Sequence, residues 1–301
     1  MVETLLNDGW AYHATESARF ASELEAAADA DIAPGLLVQF LKVSTHTIGE
    51  HLDDWPRARR LGERVLAGHA PDAETAKAWA HLWVARTLAG DPVAAAEAEL
   101  ACLAASGDDF RPPLIEARFL LVAALVGVGR AAEASTIYVA ALGLARRLGD
   151  AAPHRAIGVA SNNLATDLLE APSRTPDEAA LMALAAEASH EFWLKCGTWE
   201  HDERGRYLRA LVANVLDRPD EALGHVDAGL AVIAANGAAP IDETFLRLAR
   251  AHALKLAGDG EASAAELAIS DAAVEDWTNP GLRSWYADER ARTVGRSHAA
   301  A

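Results

Sequence analysis

The sequence predicts an all-α protein made of stacked helical hairpins, and three observations carry that expectation. The chain is 51% hydrophobic but only 6% aromatic. Its apolar content is mostly Ala and Leu, which lose little side-chain freedom in a helix. Small and apolar residues recur three or four apart, as in Ala134, Ile137, Tyr138, Ala141, Leu142 and Ala145, so one helix face is buried. Gly or Asp breaks then return at a regular interval, the mark of a helix pair used repeatedly.

In chain order, Trp10 to Ala28 reads as one helix, broken at Asp31 to Pro34, and Gly35 to Leu52 as a second. The stretch from Gly129 to Pro172 shows one whole unit. A helix follows Gly129 and stops at Gly149, where Arg146 and Arg147 suit the negative end of the helix dipole. A second helix then runs from Ala156 to Leu169. Aligning the breaks places Ala58, Ala95, Ala134 and Ala222 at one slot, spaced by 37, 39 and 88 residues, the last interval being two units. Ala179 or Ala180 fills the slot between them, and a looser copy starts at Gly258. A small residue there lets paired helices approach closely, and a large one overpacks the site. Asn279 and Pro280 open a last helix, with Leu282, Trp285 and Tyr286 on one stripe and Arg283, Arg290, Arg292 and Arg296 around it. That helix reads as a cap on an otherwise open end. The organisation expected is an N-terminal helix over 1–34, a repeat array over 35–278, and a capping helix and tail over 279–301.

Charge and composition exclude several classes of function. The 44 acidic and 27 basic residues give a net charge of −17, which repels a phosphate backbone, so no nucleic-acid partner is expected. Two cysteines are too few for a disulfide framework and fit a reducing cytoplasm. The N-terminus lacks a basic region followed by an apolar core, and no apolar run is long enough to span a bilayer, so neither secretion nor a membrane partner is expected.

The segment from Ala141 to Asp150, of pattern ALxLARxLGD, and the Asn162 to Ala165 run NNLA resemble the tetratricopeptide repeats of bacterial sensor and regulatory modules. Trp79 and Leu82 match the paired large residues of the first helix. Gly90 and Gly129 match the turn, and Tyr138 with Ala141 matches the aromatic and small residues of the second helix. The resemblance covers residues 35 to 275. It implies a right-handed α-solenoid of about six helical hairpins, with flanking helices, that binds peptides or proteins along a concave face lined by first helices. The units are longer than the family's usual length of about 34 residues, so the likeness implies a fold without a specificity.

No phosphate loop, dinucleotide fingerprint, nucleophile elbow or HExxH pair is present, and no catalytic residue is expected. His190, Cys196 and His201 straddle a Gly break at spacings that suit no tetrahedral site. His46 and His51, five apart, diverge around an α-helix. No metal and no cofactor are therefore expected. Paired acids such as Asp53 and Asp54, and the basic run Arg57, Arg59, Arg60 and Arg64, read as helix-end and surface charge. Most of the eight tryptophans read as packing between hairpins.

Motif position puts the candidate groove on Lys77 and His81, Phe119, Asn162, Asn163 and Thr166, and Tyr207 and Asn214. Amides, hydroxyls and a cation beside rings suit an extended peptide. The expected function is a non-enzymatic protein- or peptide-binding scaffold or regulatory adaptor, compatible with a homo-oligomer. A small-molecule or peptide sensor with a closed pocket, and an all-helical enzyme without a recognisable motif, are the alternatives.

Overall fold

In the computed structural model, which describes residues 2–295, the chain is all-α. About 80% of it is helical, with no strand among the described residues. Fifteen α-helices follow one another: α1 Val2–Gly9, α2 Ser17–Ala27, α3 Pro34–Ser44, α4 Trp55–Leu66, α5 Ala76–Leu88, α6 Pro92–Ala105, α7 Arg111–Gly127, α8 Ala131–Leu148, α9 His154–Glu170, α10 Pro176–Cys196, α11 Trp199–Val215, α12 Pro219–Asn236, α13 Pro240–Leu256, α14 Gly260–Val274 and α15 Pro280–Gly295. The chain divides into two compact units, one up to Pro153 and one from His154.

The repeat is written in the turns. Asp53, Gly90, Gly129, Asp217 and Gly258 all take the left-handed conformation, with φ of 51°, 77°, 74°, 57° and 86°. In the last four turns the next residue's N–H reaches the carbonyl five residues back: Asp91 to Arg86, Arg130 to Leu125, Arg218 to Ala213 and Asp259 to Leu254, at 2.8–3.1 Å. This backward bond closes one helix while the following residue opens the next. Asp54, Asp91 and Asp259 also accept a backbone N–H in the new first turn. Four residues beyond these openings stand Ala58, Ala95, Ala134, Ala222 and Ser263, all buried. Ser263 holds the slot by donating to the Ala251 carbonyl at 2.7 Å.

Helices pair in sequence order, α5 with α6, α7 with α8, α9 with α10, α11 with α12, and α13 with α14. Within the first unit, α5 also touches α3 and α7. Within the second, α11 touches α9 and α13, so the first helices of successive pairs form a layer. The turn between α9 and α10 is longer, and there Arg174 donates to the carbonyls of Leu168, Leu169 and Ala171 before a Thr175–Glu178 capping box starts α10.

Three features differ from the sequence expectation. Trp10 to Ala28 is not one helix, because α1 ends at Gly9 and the chain turns over Trp10–Glu16 before α2. A Cβ on Gly9 would sit 2.0 Å from the Phe20 ring, so this close approach of α1 and α2 requires glycine. The helix expected over Gly35 to Leu52 changes type at its end, with residues Thr45–His51 forming a π-helix. Just before and at that change, Ser44 and Thr45 donate their hydroxyls to the carbonyls of Phe40, Leu41 and Lys42 at 2.7–3.0 Å, which loosens the α ladder. The backward bond at its end spans six residues, from Asp54 N–H to Ile48 carbonyl. Finally, α15 does not bury its whole stripe. Tyr286 is buried, but Trp285 is 45% exposed, and Arg296 of the expected basic set lies outside the described residues.

Candidate functional site

The residues expected on one groove are distributed over both units. Lys77, His81 and Phe119 belong to the first; Asn162, Asn163, Thr166, Tyr207 and Asn214 belong to the second. Two of the eight, Phe119 and Asn214, are buried in helix packing and line neither cavity described below. Phe119 is 5% exposed and packs edge-to-face on Tyr138 at 5.0 Å, because the apolar face of α7 is wide enough to bury it. Asn214 is 2% exposed and donates its amide to the Ala249 carbonyl at 2.9 Å, joining α11 to α13.

In the first unit, Lys77 and His81 line a cavity of about 340 Å³ between α5, α6 and α7, with small residues such as Ala76, Ala80, Ala105 and Ala117 in its wall. Its polar groups already have partners. Lys77 Nζ meets Glu116 at 2.8 Å, and His81 Nδ1 meets the Thr45 hydroxyl at 3.2 Å. Burial, with Lys42 adding to it, lowers the His81 pKa to about 4, so its ring is neutral at neutral pH. Burial also pushes the Cys102 thiol up to about 11, which removes it as a nucleophile.

The second unit holds a larger cavity, about 530 Å³, on the layer of first helices. Helix α9 contributes Asn162, Thr166 and Glu170; α11 contributes Glu203, Arg204 and Tyr207; α13 contributes Asp242 and Phe245; and α15 closes one side with Trp285, Glu289 and Arg292. The i, i+4 spacings Asn162–Thr166, Glu203–Tyr207 and Trp285–Glu289 keep each pair on one helix face. Asn163, one residue on from Asn162, is exposed and outside this lining. Trp285 lies tilted against Phe245 with ring centroids 4.2 Å apart, which gives the cavity an aromatic wall.

Glu203 distinguishes this site. Its side chain is 1% exposed, and neither carboxylate oxygen has a hydrogen-bond donor. Arg204 Nε stands 3.4 Å from Oε1 but directs its hydrogen bonds to Asp242, at 3.2 and 3.1 Å. Burial, reinforced by Asp242 and only partly offset by Arg204, raises the Glu203 pKa to about 8. Burial also pushes the Tyr207 phenol well above its ordinary value. The second cation, Arg292, is paired with Glu289 at 2.5 Å. Both guanidinium groups of the lining are thus engaged, while the Glu203 carboxyl, its oxygens closed off from solvent, has no hydrogen-bond donor.

The sequence reading did not single out Glu203 or Asp242, and it placed Trp285 only on the stripe of the capping helix. Glu203 carries a usable signal, standing four residues after Trp199 and four before Tyr207 on one face of α11. His190, Cys196 and His201, whose spacing suits no tetrahedral site, each have a separate partner. His190 binds Asp202 at 2.7 Å, Cys196 donates to the Phe192 carbonyl at 3.4 Å, and His201 accepts the Thr198 N–H at 3.1 Å in a helix cap. No helix of the described residues is long and apolar enough to cross a membrane. No protein-family model and no curated protein matches the chain.

Proposed function

We propose that this chain is a tetratricopeptide-like binding module, without catalytic activity, whose second unit takes a peptide segment presenting a basic side chain. The buried, donor-free carboxyl of Glu203 carries the reading. A buried acceptor left without a donor costs about 1–3 kcal/mol, and a ligand N–H recovers it. An ammonium or guanidinium group does so with charge, since it favours the ionised carboxylate that the apo site disfavours. Tyr207, Phe245 and Trp285 then receive the aliphatic stem, and the rings add cation–π attraction. Asn162, exposed at the rim, offers an amide to the peptide backbone. A free organic amine is the second reading, favoured by the cavity volume of about 530 Å³, which is that of a small-ligand site.

Tryptophan fluorescence tests the charge requirement with two acetylated, amidated peptides that differ only by Lys or norleucine between leucines. The Lys peptide is expected to bind the native protein at least tenfold more tightly, with the preference lost in Glu203→Gln. Asn163→Ala serves as the surface control. Equal affinities for the two peptides would contradict the proposal, and binding of a free alkylamine as tight as the Lys peptide would favour the small-ligand reading.

A further inference from the structure

We propose that His13, His46 and His51, in the first unit, form a binding site for one divalent transition-metal ion of the zinc type. The π-helix makes the site. In an α-helix, residues five apart point in different directions, but in a helix bonded from i to i+5 they return close to the same face. His46 and His51 therefore lie side by side, with ring centroids 4.5 Å apart and their Nε2 atoms 3.2 Å apart. Two imidazole nitrogens on a tetrahedral zinc, each bonded at about 2.0–2.1 Å, stand roughly 3.3 Å from each other. The pair is already at ligand spacing.

The third ring comes from the turn after α1. His13 lies 5.1 Å from His46 and 5.2 Å from His51 between ring centroids, and one ligand atom from each of the three residues falls within 4.8 Å of the others. Closing that distance to tetrahedral spacing takes a shift of about 1.5 Å in a half-buried side chain outside any helix. Two of the rings are oriented from behind. His46 Nδ1 bonds Glu50 at 2.5 Å, and His13 Nδ1 bonds the Trp10 carbonyl at 2.9 Å. Donation from Nδ1 to a carboxylate or carbonyl leaves Nε2 with its lone pair for a metal, the arrangement that fixes metal-binding histidines elsewhere. His51 is exposed, with its ring edge-on to both His46 and His13. Trp10 flanks His13 and His46 on one side with Lys42 over its ring, and water takes the fourth position on the open side.

Zinc chloride titrated by calorimetry into protein made without a polyhistidine tag and stripped with chelator tests the site. One zinc per chain is expected, with an upward shift in melting temperature, and cobalt(II) in its place should give the visible absorption of a four-coordinate ion. His46→Ala and His51→Gln are each expected to weaken zinc at least tenfold, and Glu50→Gln by about 10- to 100-fold through the orientation of His46. His51→Gln lies at an exposed position, so its apo melting temperature should equal that of the native protein, and it decides the matter if His46→Ala fails to fold. His201→Ala is the control that should leave zinc binding unchanged. Absence of zinc binding, or binding that survives His51→Gln undiminished, overturns the proposal.

Discussion

Replacing Glu203 by Gln is expected to stabilise the protein, and by more as the pH rises. The folded carboxyl titrates near 8 against an ordinary value of 4.5. Between those values the folded chain holds a proton that the unfolded chain has released. Stability linked to this group is therefore fully present below about 4.5 and is lost as the pH climbs through 8. Glutamine keeps the shape of the protonated acid and titrates nowhere, so the variant escapes that loss. The difference in unfolding free energy should open across the window and level off above it at roughly 2–5 kcal/mol in favour of the variant. His81 works in the opposite direction. Its folded value near 4 lies below the ordinary 6.5, so stability falls as the pH drops through that interval. That slope is common to both proteins and cancels in the comparison. Urea unfolding at pH 5, 7 and 9 measures the gap, and a gap that does not change with pH would contradict the burial of a carboxyl without a hydrogen-bond donor.

Tyr138→Ala is expected to cost about 3–5 kcal/mol, the range for emptying a large aromatic site in a core. Tyr138 is wholly buried on α8 and meets Phe119 of α7 edge-to-face at 5.0 Å. Its loss removes transfer energy and the ring–ring contact together, and leaves a void that the α7–α8 pair fills only in part. Thermal and urea unfolding followed by circular dichroism should show the loss. A destabilisation below about 1 kcal/mol would mean that the pair packs more loosely than the burial of both rings indicates.

The sequence made the helices and their pairing legible for a physical reason. Each hairpin turn needs a residue that tolerates positive φ, then a helix opening, then a small residue four positions later, and Gly90, Asp91 and Ala95 spell this out. The π-helix was not legible, because it depends on Ser44 and Thr45 taking helix carbonyls, which these residues do without changing the helix type in most settings. That single change reverses the geometry of His46 and His51. The candidate cavity was legible in part. Asn162, Thr166 and Tyr207 follow from motif position, but Asp242, Phe245 and Trp285 come from helices whose approach no local pattern encodes. Phe119 and Asn214 look like groove residues by register, and their burial is decided by neighbours distant in sequence.

The most direct test of the Glu203 site is the affinity for the Lys peptide as a function of pH between 6 and 9. The lysine stays charged throughout that range. The cation binds the ionised carboxylate, and below the Glu203 value near 8 only a shrinking fraction of the apo protein is ionised. Affinity should therefore rise about tenfold per pH unit up to that value and then level off, with one proton released per peptide bound below it. In Glu203→Gln the same titration should be flat. A native protein whose affinity is also flat across this range, with no proton released, would show that the peptide's charge is not received by Glu203.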